Sequence, residues 1–221
     1  MERRFETELK DLKSRILAMG GFVEQAIDRA TQALQERSLK KIEEVQAIEA
    51  KINEAHIAVD NACLEVLARL SPVAADLRLI LAIVKINTDL ERMGDQAVNI
   101  SHNAEHYIED EKIDLQLDLP RMSALVKKMV RDSLDAFMNA DVVLAQEVLE
   151  SDDEVDEFKN QVFEKMVPYM KSNSDKIEAA LDLILIARNL ERMADHATNI
   201  AEDVIFACTG DDVRHRGGQP S

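Results

Sequence analysis

The chain is poor in aromatic residues: tryptophan is absent and the aromatic fraction is only 4%. Its core must therefore be aliphatic and methionine-rich. Glycine and proline are scarce, with 6 and 4 residues among 221. Sheets need many turns, and turns draw on those two residues. A β-rich fold is thus excluded and an all-α fold expected. Two cysteines, Cys63 and Cys208, make no disulfide framework. Positive charge is also short, since 27 Lys and Arg against 43 Asp and Glu leave −16. Such a chain repels the nucleic-acid backbone, so no nucleic-acid partner is expected. The same charge opposes adsorption to an anionic membrane. The longest apolar run, "LRLILAIVKI", is too short to span a bilayer, so membrane association is expected only through protein partners. The first residues, "MERRFETELKDLKSR", carry charge where a secretory signal is apolar. A cytoplasmic location is expected.

What is present is helical period. Leu9, Leu12, Ile16, Met19, Val23, Ile27 and Leu34 recur as on one face of a helix over about residues 4–35. A second helix follows the polar joint "ERSLKK" and reaches about Leu70. Ser71-Pro72 reads as the start of a third, with an N-cap serine and a proline in the first turn. The acidic stretch 108–119, ending at Pro120, loses the period and reads as a linker. The plan then repeats: a helix from about Pro120, another over about 141–170 that Pro168 ends or kinks, and a last one opening at "SNSD". The expected fold class is all-α, with two tandem three-helix bundles related by a pseudo-two-fold internal repeat. The bundles take residues 1–107 and 120–209, the linker 108–119, and a mobile polar tail 210–221. Three helices of about 30 residues, roughly 45 Å each, can bury a common apolar seam.

The repeat is explicit in two stretches 100 positions apart, "DLERMGDQAVNI" from Asp89 and "NLERMADHATNI" from Asn189. On a helix turning about 100° per residue, Asp95 falls about 40° from Glu91, Asn99 about 80° and His102 about 20°. Leu90, Met93, Ala97 and Ile100 gather on the opposite side. Glu191, Asp195, Asn199 and Glu202 take the same places in the second copy. An ordinary solvated face accounts for such a pattern. Yet a solvated face tolerates many residues, and here the same ones return. Moreover, Glu and Asp at i, i+4 repel, and a cation removes that repulsion. Oxygen donors of this kind suit divalent or iron-type metal ions rather than zinc–thiolate chemistry; sequence does not fix the ion. His196 is a weaker ligand candidate and reads equally as a polar surface residue.

The rival reading is a metal-storing or metal-oxidising helical carboxylate protein. Di-metal bundle sites use inward Glu-x-x-His pairs, and no Glu here is followed three residues later by His. Glycine-rich phosphate loops and nucleophile elbows are missing as well, so no enzyme is expected and no catalytic residue is assigned. No basic cluster points to a phosphate pocket. The glycine pair Gly20-Gly21 lies mid-helix, where each glycine costs about 1 kcal/mol relative to alanine. It marks either a tight helix crossing or the approach of a partner.

Together "MGGFVEQ", "SPVAADLRLI", the two acidic motifs and "GDDVRHRGG" resemble segments of the PhoU family, in the same order and over almost the whole chain. The resemblance implies paired three-helix bundles and, in some members, surface metal clusters held by the motif acids. Those acids are here Glu91, Asp95, Glu191 and Asp195, with Asn99 and Asn199 as neighbours. It also implies an adaptor, often a homodimer. Such an adaptor couples the ATPase subunit of the phosphate ABC transporter to a phosphate sensor histidine kinase, negatively regulating the phosphate regulon.

Overall fold

The computed structural model describes residues 2–109, 112, 113, 115 and 117–211. Among them there is no strand. Seven α-helices run in the order α1 (Glu2–Glu36), α2 (Leu39–Leu70), α3 (Ala75–Glu109), α4 (Leu119–Asn139), α5 (Val142–Glu150), α6 (Asp152–Ser172) and α7 (Ile177–Thr209). A 3-10 turn, Ser174–Lys176, introduces the last. Helices α1 to α3 pack on one another as the first bundle, and α4 to α7 as the second. The tail that sequence assigns to residues 210–221 lies, from residue 212, outside the described residues.

The apolar period becomes burial. Leu12, Ile16, Met19, Val23 and Ile27 of α1 are fully buried, as are Leu90, Met93, Ala97 and Ile100 of α3 and their counterparts Leu190, Met193, Ala197 and Ile200 of α7. These residues do not form two separate interiors. Buried side chains from Leu12 to Ile205 make one continuous cluster.

Two antiparallel helix pairs join the halves. Along α1 and α4, Lys13 donates to the carbonyls of Phe137 and Met138 (3.3 Å each). Asp28 meets Lys127 at 2.7 Å, and the hydroxyls of Thr31 and Ser123 lie 2.7 Å apart. Along α3 and α7, the most extensive interface in the molecule, Lys85 meets Asp203 (3.2 Å), Asp89 meets His196 (2.8 Å) and His106 lies 3.9 Å from Asp182. The order of these contacts reverses from one helix to the other and centres the crossing near Gly94 and Ala194. Since 94 and 194 are repeat equivalents, the pair obeys the pseudo-two-fold that sequence predicts.

Two local expectations are corrected and a third is narrowed. Ser71 does not start α3. It closes α2 in the left-handed conformation (φ 46°), its N–H on the Leu67 carbonyl, and α3 begins only at Ala75. Proline at position 72 ends the previous helix because it offers no N–H to continue it. The span 141–170 is two helices, not one. Asp141 caps α5 by accepting from the N–H groups of Val143 and Leu144, both 3.0 Å. At Ser151 the hydroxyl turns back to the Glu147 carbonyl (2.8 Å), and Asp152, Asp153 and Glu154 open a new first turn, where the helix dipole favours acids. Finally, of the two effects expected of Pro168, ending the helix does not occur: α6 passes through Pro168 to Ser172. Pro168 faces solvent, so water can satisfy the carbonyl that loses its partner.

The glycine pair divides its roles. A methyl group on Gly20 would stand 2.1 Å from Cδ1 of Leu134, so this glycine lets α1 close on α4. Gly21 has nothing within 4 Å of that position.

Candidate functional site: the acidic faces of α3 and α7

Both motif copies sit mid-helix, on the side away from the apolar cluster. Glu91 and Asp95 on α3 are half-buried, Asn99 is exposed, Glu191 on α7 is half-buried, and Asp195 and Asn199 are exposed. The glutamates are therefore less open than a freely solvated face.

The two copies are not alike. In the first, Arg92 of the same helix lies between the two acids, 3.6 Å from Glu91 and 3.3 Å from Asp95. In the second, a cation comes from another helix: Lys159 of α6 donates to Glu191 at 2.9 Å and to Asp156 at 2.6 Å. Asp152 joins this group electrostatically. Its carboxyl is pushed up to about 6, first by burial and then by the negative charge of Asp195, Asp156, Glu191 and Asp153. The Asp195 carboxyl is raised as well, by partial burial and then by Glu191 and Asp156. Asp152, Asp156, Glu191 and Asp195 thus share an acidic field around Lys159, which is itself raised to about 12 by its bonds to Asp156 and Glu191.

Asn199 and His196 turn elsewhere. The His196 ring donates through Nδ1 to Asp89 (2.8 Å), and Asn199 donates to the same carboxylate at 3.3 Å. Both side chains therefore bind α7 to α3 rather than completing a shell around Glu191 and Asp195. The repeat-related positions are Asn189 and Gln96, both buried, so a neutral amide pair stands where the other half has a carboxylate and an imidazole. Asn99 is in contact through its backbone carbonyl, which accepts from Asn103 at 2.7 Å.

Sequence reading missed Asp152, Asp156 and Lys159. The run "SDDEVDEFK" could have drawn attention to them, because a serine followed by three acids is a helix-start signature. Which helix they face, however, depends on the register of α6 against α7. Missed too was a cavity of about 660 Å³ where α1, α3, α4, α6, α7 and the linker meet, lined by Arg37, Lys112 and Lys165 beside Leu34, Leu117 and Leu183. It shares no residue with the acidic motifs.

Among the described residues, no three His, Cys, Asp or Glu side chains are arranged to hold a metal ion. The cation held at the second copy is the Lys159 ammonium, between Glu191 of the motif and Asp156 of α6.

The profile of the PhoU domain matches residues 16–104 and 119–204, one copy in each bundle. The chain belongs to the PhoU family. A phosphate-specific transport system accessory protein PhoU homolog from Pseudomonas aeruginosa is 38% identical over 98% of this chain and 90% of its own. The crystal structure of PhoU from the same organism superposes with a TM-score of 0.90 at 37% identity, covering 94% of this chain and 100% of that one. The phosphate transport system regulatory protein PhoU from Streptococcus pneumoniae gives 0.87 at 27% identity, over 95% and 99%. The PhoU fold thus extends over both halves. No helix among the described residues is long and apolar enough to cross a membrane.

Proposed function

We propose that the chain is a cytoplasmic adaptor, not an enzyme, that negatively regulates the phosphate regulon. It couples the ATPase subunit of a phosphate ABC transporter to a phosphate sensor histidine kinase, and so adjusts phosphate uptake and homeostasis. The observation that carries this reading is full-length similarity to proteins named as accessory or regulatory parts of phosphate transport. The molecule suits the role. Its long helices offer broad faces, and its −16 charge favours basic partner surfaces. Signalling then follows from differential affinity: the adaptor binds one conformation of a partner better than another and shifts its population. A homodimer would present the pseudo-symmetric faces twice.

Glu91 and Asp95, and Glu191 and Asp195, are the proposed ligands of divalent or iron-type metal ions, with Asn99 and Asn199 as polar neighbours. A bound ion would cancel the i, i+4 repulsion and offer open coordination positions to a partner's donors. In cells deprived of this protein, a reporter of phosphate-starvation genes should stay on in phosphate-rich medium. Restoring the wild-type chain should switch it off. If the reporter responds to phosphate equally with and without the chain, the regulatory reading fails.

A further inference from the structure

We propose that the cavity where the two bundles meet binds a small amphiphilic anion, an aliphatic body carrying one carboxylate or phosphate group. The inference stands apart from the transporter reading and from the acidic motifs, with which the cavity shares no residue.

The space has the size of a ligand site. It holds about 660 Å³, within the roughly 300–1,000 Å³ typical of small-molecule pockets. Its walls are anchored. Leu34 belongs to α1, Leu183 to α7, and buried Leu119 opens α4. On the linker side the Tyr107 hydroxyl accepts from the N–H of buried Ile113 at 3.1 Å. Leu115 lines the same space yet remains 38% exposed. A large aliphatic side chain left open beside other leucines offers surface that an apolar body would remove from water.

Charge is the second observation. The chain as a whole stands at −16, but the described lining residues include three cations, Arg37, Lys112 and Lys165, against one carboxylate, Asp118. They come from distant parts of the sequence, so only the fold gathers them. A local reversal of sign in an acidic protein favours an anion at that place. Arg37 is also positioned beforehand. Its guanidinium donates to the Ile108 carbonyl and lies 5.6 Å from the centre of the Tyr107 ring. Guanidinium and ammonium groups together suit a carboxylate or a phosphate. The body is aliphatic rather than a nucleobase, because a base needs an aromatic face on which to stack. Tyr107 is the one aromatic side chain among the described lining residues, and Arg37 already lies over its ring. Since α1, α3, α4, α6 and α7 all contribute to the walls, an occupant touches both bundles at once and stabilises their junction.

Calorimetric titration of the full chain with octyl phosphate, octanoate, octanol and inorganic phosphate, each below micelle formation, tests this. The variants are Lys112→Gln/Lys165→Gln, which replaces two exposed side chains of the lining, and Lys128→Gln, an exposed lysine of α4 outside it. Octyl phosphate or octanoate should bind wild type, and whichever is tighter identifies the head group. Octanol and inorganic phosphate should bind at least tenfold more weakly. Lys112→Gln/Lys165→Gln should weaken the octyl anion at least tenfold, while Lys128→Gln should not. Octanol as tight as the anions would make the cavity a mere apolar gap, and inorganic phosphate as tight as octyl phosphate would leave the leucines without a role. Either result overturns the inference, as does absence of binding, an unchanged affinity in Lys112→Gln/Lys165→Gln, or an equal loss in Lys128→Gln.

Discussion

Asp152 opens α6 at the edge of the acidic group and titrates near 6 because burial and four neighbouring carboxylates oppose its ionisation. In the unfolded chain an aspartate titrates near ~3.9. The folded state therefore holds this proton more tightly. The stabilisation is complete below about pH 4 and is lost as the pH rises through about 6. Asp152→Asn, which cannot ionise, should be more stable than wild type at pH 7.5, by on the order of 1 kcal/mol once solvent screening of a half-exposed group is allowed for. At pH 4 the two should match. Denaturant melts at both pH values check this, and an equal gap at both would remove the electrostatic account. At this scale the doubled Glu and Asp were legible, because a repeat in sequence is visible without structure. Lys159 and Asp152 were not, since their role depends on α6 lying against α7 in one particular register. His196 shows the same limit: its period places it on the polar side, but only the packing of α3 reveals Asp89 as its partner.

Among the elements, α1 carries the sharpest test. Gly20 is in contact with Leu134 of α4, and Leu134 is itself buried. Gly20→Leu should therefore overpack the crossing and cost about 1–3 kcal/mol. Gly21 faces open space in an α-helix, so Gly21→Ala should stabilise by about 0.5–1 kcal/mol. Thermal melts of the two variants should move in opposite directions; movement in the same direction would contradict the assignment. Helix existence was readable from the aliphatic period throughout. Helix ends were harder to read, as Ser71 and Ser151 illustrate. Serine followed by proline or by acids signals a boundary in both places, yet the same signal closed one helix at Ser71 and divided another at Ser151. The choice is made by backbone conformation, left-handed at Ser71 and right-handed at Ser151, which tertiary packing decides.

At the scale of the molecule, the two bundles are repeats in sequence but share one interior. Periodicity assigns each helix an apolar face and cannot say that α3 and α7 each have a second buried face, turned toward the other. Buried Gln96, Asn189 and Asp203 on those helices record that extra packing. With one continuous core, the halves should unfold together. Calorimetry should show a single transition whose van't Hoff and calorimetric enthalpies agree, and two resolved transitions would mean that the seams between the halves are weak. The proposed function makes this chain an adaptor between transporter and kinase, with the acidic faces as the proposed contact surface. Its most direct test is affinity recovery of the tagged chain from phosphate-rich cells, with the transporter ATPase and the sensor kinase quantified by mass spectrometry. Wild type is compared with a variant carrying Ala at Glu91, Asp95, Glu191 and Asp195. Because none of the four side chains belongs to the core cluster, the variant should stay folded. Both partners should accompany wild type and fall at least tenfold with the variant, whereas equal recovery with both chains, or absence of both partners from wild type, would contradict the account.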